Sequence, residues 1–191
     1  LCPTVEMNLA STRRNWPTGR GFERWYGFLG AETTQWYAEL TYDNHEVEQP
    51  SQPEDGYHLS SDLADKAIEF IKDAHTTAPD KPFFLYYATG AGHAPHHVPK
   101  DWADKYKGRF DSGWDHYRDE VHQRQLAMGV IPQGTELSAH DPDVPRWDSL
   151  SADEQRLYSR FMEVYAGFIS YTDFHFGRIL GFLDEIGERD N

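Results

Sequence analysis

The chain has 191 residues, 38% of them hydrophobic and 15% aromatic, and its 18 basic and 32 acidic side chains give a net charge of −14. That length holds one medium domain or a piece of a larger one, and the aromatic share argues against disorder. The charge argues against a nucleic-acid partner, since such a surface repels a phosphate backbone, and no apolar run approaches the roughly 18 residues of a membrane span.

The charge is unevenly spread. Residues 1–40 hold four arginines and four glutamates and are neutral, whereas residues 41–80 hold ten acids against two lysines, or −8. That acidic stretch reads as a solvated face. One cysteine, Cys2, leaves no disulfide to form within the chain and is compatible with a cytoplasmic location. The chain starts at Leu1 without a charged-then-apolar leader and stops soon after a helix exit, so both ends read as cut from a longer polypeptide.

Residues 1–58 are rich in turn signals, from Asn15-Trp16-Pro17-Thr18-Gly19 to Gln49-Pro50-Ser51-Gln52-Pro53, and predict short strands and irregular loops. Trp36–Tyr42 and Glu46-Val47 predict a small hairpin turning at Asp43-Asn44. Ser61 is then the expected cap of a helix carrying Leu63, Ala67, Phe70 or Ile71, and Ala74 on one face, with Asp62 in its first turn and Pro79-Asp80 beyond its end.

Phe83–Tyr87 follows as a short apolar run without alternation, which predicts a strand buried on both faces. A short helix is expected over 101–107, a charged helix within 109–127, and a loop over 134–147. Ser151 and Glu154 form a capping box for the last helix. Leu157, Phe161, Val164, Phe168, Tyr171, Ile179, Leu183 and Ile186 give it an apolar stripe, Gly187 ends it, and Gly167 and Gly177 are where it would bend or split. Six scattered tryptophans read as core residues.

The most chemically loaded segment is Lys81–Pro99, KPFFLYYATGAGHAPHHVP. The apolar run breaks into small residues and then delivers His93, His96 and His97 around Pro95, as a buried strand does where it enters a catalytic loop of an α/β enzyme. His93-x-x-His96-His97 could ligate a metal, although Pro95 prevents the regular helix that would set His93 and His97 on one face. The alternative leaves His96 and His97 as solvated loop residues, with His93 distinct because it stands nearest the strand end. Asp173-x-His175 lies two apart on a helix, so its members diverge, and Asp173 is expected in a cap or salt bridge. No nucleophile elbow, P-loop, dinucleotide fingerprint, HExxH or CxxC occurs. The residues alone lead to an acidic α/β enzyme segment with a histidine loop.

Three blocks go further. RNWPTGRGFERWYGFLGAETTQW (Arg14–Trp36), the strand and loop of Pro82–Pro99, and YAGFISYTDFHFGRILGFLDEIGERDN (Tyr165–Asn191) resemble, in order, segments of the sulfatase family, specifically bacterial arylsulfatases of the alkaline-phosphatase-like superfamily. The first resembles the stretch after the family's G-K-W-H-L motif, the second its A-P-H-x-P loop, and the third the T-D-x-x-x-G-R helix before a metal-binding strand.

The resemblance implies an α/β fold, a partial alkaline-phosphatase-like sandwich with a mostly parallel central sheet flanked by helices. Residues 1–191 would be an internal segment of one sulfatase catalytic domain, truncated at both ends. It implies a sulfuric ester hydrolase of arylsulfatase type acting on a small-molecule sulfate ester, with no nucleic-acid or membrane partner. The formylglycine nucleophile and the ligands of a calcium ion (Ca2+) would lie outside this chain. Cys2, in Cys2-Pro3-Thr4-Val5, lacks the C-x-P-x-R spacing and lies downstream of the nucleophile's place.

His93 is the one group that inherits a role, catalytic and substrate-binding, from the histidine of A-P-H-x-P. Gly92 stands where the family usually has proline, which would loosen the loop. His96 and His97 inherit nothing, and no metal ligand is expected here. A phosphonate or phosphodiester hydrolase of the same superfamily, or a noncatalytic remnant of the fold, are the competing readings. The fragment alone is expected to be inactive, and a periplasmic location stays open because the N-terminus would be missing.

Overall fold

A computed structural model describes residues 2–190; Leu1 and Asn191, the two ends read as cut, lie outside the described residues. The hairpin forms where the alternation and turn residues place it. Strand β2 (Leu40–Tyr42) pairs antiparallel with β3 (His45–Val47), and Asp43 takes the left-handed conformation at the turn, with φ 52°. A short strand β1 (Tyr26–Gly27) adds to the other edge of β2, giving an antiparallel sheet of order β1-β2-β3.

Helix α1 (Leu59–Thr77) begins two residues before the expected cap. Its N-cap is His58, whose Nδ1 accepts a hydrogen bond from the Ser60 amide at 3.1 Å. Imidazole nitrogen substitutes here for the hydroxyl or carboxylate that usually satisfies a first-turn donor. Helices α2 (Lys100–Asp104), α3 (Gly113–Met128) and α4 (Ala152–Glu185) follow. The capping box of α4 is present: the Glu154 carboxylate accepts from the Ser151 amide at 2.8 Å, and the Glu154 amide donates to Ser151 Oγ at 3.3 Å. Among the described residues no helix is long and apolar enough to cross a membrane.

The chain divides into two units, one running to Val98 and resuming at Phe168, the other Pro99–Gly167. In the first, α1 is the centre. One of its faces packs Leu59 and Leu63 with Leu40 and Tyr57 of the sheet region. The other packs Ala64, Ala67 and Ile71 with Ile179, Phe182 and Leu183 of α4. Beside the first of these faces Asp62 is buried, and its Oδ2 accepts from Tyr26 at 2.5 Å and Tyr57 at 3.1 Å. In the second unit the buried Glu163 carboxylate accepts from the Gly108 amide at 2.8 Å and from Arg160 at 2.7 Å.

Two expectations are corrected. The mostly parallel central sheet is not seen among the described residues, where every strand pairing is antiparallel. Phe83–Tyr87 forms no ladder and is half-buried on one face only, at Leu85 and Tyr87. Leu85 and Tyr87 join the core beside α1, while Phe84 is 79% and Tyr86 71% exposed, in ring contact with Phe22. The segment keeps the two-residue alternation of an extended chain, but no strand among the described residues pairs with its backbone, and the Phe22 ring touches its outer face without burying it.

Helix α4 is also continuous through both internal glycines. Gly167 is required by close approach: a Cβ there would sit 2.8 Å from Ala103 Cα and from its amide nitrogen. Around Gly177 there is open space. Gly167→Ala is therefore expected to destabilise by about 1–3 kcal/mol, as overpacking against backbone does, and Gly177→Ala to stabilise by about 0.5–1 kcal/mol. Urea midpoints of the two variants measure both; equal shifts would refute the packing argument.

Candidate active site

His93 lies at the end of a turn in which its amide donates to the Gly90 carbonyl at 3.2 Å. Gly92, just before it, has φ +91°. That conformation is closed to proline, whose ring fixes φ near −65°, so the glycine is what allows this turn rather than a loosening of it. The His93 side chain is 59% exposed. Its Nδ1 lies 2.8 Å from the Ala94 carbonyl oxygen and 3.3 Å from Glu32 Oε2. Both partners are acceptors, so the proton sits on Nδ1.

The three histidines do not converge. His97, expected as a solvated loop residue, is half-buried and structural. Its Nδ1 accepts from the Gln35 amide at 3.4 Å and lies 3.3 Å from Thr34 Oγ1, and its ring stacks on Trp36. Its carbonyl accepts from Nε2 of His58 at 3.1 Å. Burial lowers the His97 pKa below its ordinary value. His96 is exposed, with its ring 6.4 Å from that of Phe168. Each of the three histidines has a different neighbourhood.

Two further histidines are buried: His58, which sequence spacing did not single out, and His175, which it considered only as part of Asp173-x-His175. His58 is 1% exposed and packs edge-on to Trp36 and Tyr171. With Nδ1 accepting and Nε2 donating it is held neutral, and burial lowers its pKa to about 4. His175, 5% exposed, accepts from Arg178 at 3.0 Å through Nδ1. Its buried Nε2 has no hydrogen-bond partner among the described residues, and burial lowers its pKa to about 4 as well. Asp173 is exposed, without the expected salt bridge among the described residues.

A hollow of about 290 Å3 adjoins this region, lined by Glu32, Thr33, Thr34, Tyr37, Glu39 and Pro95. A larger cleft, about 1040 Å3, lies in the second unit along α3 and residues 137–144. Its polar side chains hold the loop in place: Arg118 donates to the Ser138 carbonyl at 2.5 Å, and His140 donates to the Val144 carbonyl at 2.7 Å. Burial raises the Cys2 thiol pKa, with Glu6 adding to the effect, which disfavours the thiolate.

The sulfatase family model matches residues 6–191. The chain belongs to the sulfatase family. It is 33% identical over 136 residues to an uncharacterized sulfatase of Schizosaccharomyces pombe, covering 71% of this chain and 24% of that protein. It is 28% identical over 185 residues to an arylsulfatase of Klebsiella aerogenes, covering 92% of this chain and 39% of that protein. The chain thus spans well under half the length of these relatives. A solved structure described as Ps i-CgsB in complex with k-i-k-neocarrahexaose superposes with a TM-score of 0.58 at 19% identity, over 95% of this chain and 33% of that one. Family and fold likeness together imply the alkaline-phosphatase-like α/β fold.

The resemblance also implies calcium. Among the described residues no three His, Cys, Asp or Glu side chains gather as a metal cradle. The residues present do not fit the ion.

Proposed function

We propose that the complete protein is a sulfuric ester hydrolase of arylsulfatase type acting on a small-molecule sulfate ester. Sulfatase family membership supports hydrolysis of a sulfate ester in general. The observation that carries the finer reading is His93: exposed, in the family's histidine loop, with Nδ1 engaged by two acceptors. We further propose that the formylglycine nucleophile and the calcium ligands belong to other segments of the protein.

Cleavage of a sulfate ester breaks the bond between sulfur and the alkoxy oxygen, and the electron pair goes to that oxygen. His93 as imidazolium donates from Nε2 to it, becomes neutral imidazole, and keeps the proton on Nδ1. The departing group leaves as an alcohol instead of an alkoxide, a gain of typically 10²–10⁴-fold for a positioned proton donor. Over the cycle water replaces the alcohol on sulfur, and sulfate is released.

The test is the complete protein assayed on aryl sulfate, phosphate monoester, phosphodiester and phosphonate ester. The expected result is kcat/KM highest for the sulfate by tenfold or more. Preference for a phosphodiester or phosphonate would assign it to the other hydrolases of the superfamily, and no turnover of any ester would make it a remnant.

A further inference from the structure

The first of the three blocks that carry the family resemblance, Arg14–Trp36, ends against the histidine loop. Thr34 and the Gln35 amide contact Nδ1 of His97 at 3.3 and 3.4 Å, and Glu32, two residues earlier, reaches Nδ1 of His93 at 3.3 Å. Two histidines four apart on one loop are thus met by residues two and three apart on another. The segments are fastened to each other in register, so the facing of Glu32 and His93 follows from more than one contact.

The chemistry of the imidazole gives that facing a purpose. With its proton held on Nδ1, His93 can donate from Nε2 only when the ring is positively charged. The Ala94 carbonyl fixes the tautomer but supplies only a dipole. The Glu32 carboxylate supplies a full negative charge on the side away from Nε2. An imidazole braced through its far nitrogen by a carboxylate is the arrangement that orients a catalytic histidine and stabilises its cation.

We propose that Glu32 is the positioning residue of His93: its carboxylate orients the ring and balances its positive charge while Nε2 faces the departing oxygen of the sulfate ester. The inference rests on the role given to His93 under Proposed function. As an exposed ion pair, with side chains 59% and 60% accessible, the contact contributes little to stability. Its effect is confined to turnover, which separates it from a structural role.

The experiment is a double-mutant cycle in the complete protein on an aryl sulfate. Glu32→Ala is expected to lower kcat by roughly tenfold, the usual effect of losing an orienting partner, with KM within about twofold and an unchanged melting temperature. Glu32→Gln, which keeps an acceptor but no charge, is expected to recover only part of the loss. The Glu32→Ala/His93→Ala double variant is expected to be no slower than His93→Ala, because Glu32 acts through the histidine. Wild-type kcat in Glu32→Ala beside a slow His93→Ala overturns the inference and leaves the His93 assignment standing. So does multiplication of the two losses, which would give Glu32 a separate role, or a rise in KM alone, which would make it a substrate contact in the hollow. Wild-type turnover in His93→Ala overturns both.

Discussion

His93→Ala is expected to slow turnover of an aryl sulfate by about 10²–10⁴-fold, corresponding to about 3–5 kcal/mol of transition-state stabilisation. The loss should fall on kcat. An interaction made with the oxygen only as it acquires charge is weak in the ground state and strong in the transition state, so KM changes little. The neighbouring histidines provide internal controls. His96→Ala should leave kcat within about twofold. His97→Ala removes the acceptor of the Gln35 amide and the stack on Trp36. It should cost stability by about 1–2 kcal/mol and disturb turnover only indirectly. A substrate with an activated leaving group, such as a nitrophenyl sulfate, should be less sensitive to His93→Ala than one with an alkyl leaving group, because a weakly basic oxygen needs less help from a proton donor. Unchanged kcat and KM in His93→Ala, on both substrates, would remove His93 from the chemistry.

What the sequence made legible, and what it hid, divides along a physical line. The hairpin at Asp43-Asn44 and the capping box of Ser151 and Glu154 depend on residues within a few positions of one another, and both are present. Helix α1 was visible in its periodicity, but its start was missed because the cap is an imidazole at His58 instead of a hydroxyl at Ser61. Its capping nitrogen is paired with a donor bond to a carbonyl 39 residues away, and no local pattern reports that.

The Phe83–Tyr87 run was read as doubly buried because it lacks polar alternation. Burial on a second face needs a covering layer, and the Phe22 ring touches Phe84 and Tyr86 without supplying one, so both stay exposed. At the site, the loop chemistry singled out His93, His96 and His97, and the family likeness selected His93. Glu32 was invisible as a partner, since it lies 61 residues away and is one of the chain's 32 acids. The only signal that could have found it is its place inside the GFLGAETTQW block. Gly167 was misread for a related reason: a glycine kept for the approach of Ala103 looks, in one dimension, like a glycine kept for a bend.

Acidification between pH 6.5 and 4 is expected to remove several kcal/mol of the stability of the first unit, a sizeable part of a typical domain's stability of about 5–15 kcal/mol. The cause is the pair of buried histidines. In the unfolded chain a histidine titrates near its ordinary value of about 6.5, whereas burial holds His58 and His175 down to about 4. As pH falls the unfolded state takes up protons first. The contribution of each is therefore fully present above about pH 6.5, is lost progressively as pH falls, and is gone below about pH 4, at about 1.4 kcal/mol per pH unit and about 3 kcal/mol in all.

The surroundings explain why neither ring can charge in place. His58 is enclosed by Trp36, Phe168 and Tyr171, with its one spare proton already donated to the His97 carbonyl and its other nitrogen needed to cap α1. His175 faces the Arg178 guanidinium, which repels a second positive charge, and Asp65, bonded to that arginine, offsets the repulsion only in part. One group opposes the trend. Burial raises the carboxyl of Asp62, against the lowering pull of Tyr26 and Tyr57, so the folded state takes up that proton more readily and regains some stability in the acid part of the range.

His58→Asn separates the contributions, because asparagine retains the capping acceptor but does not titrate. Urea midpoints of the wild-type protein should fall steeply from pH 7 to pH 5, and those of His58→Asn about half as steeply from a lower starting value. A flat profile in the wild type, or an unchanged slope in His58→Asn, would show that these rings are not the acid-sensitive groups. The same protonation of His58 would put a proton on Nδ1 and break the Ser60 cap that starts α1, whereas the bond donated from Nε2 to the His97 carbonyl is kept. Activity measured in acid should therefore fall along with stability, and should recover on return to neutral pH if the chain has not aggregated.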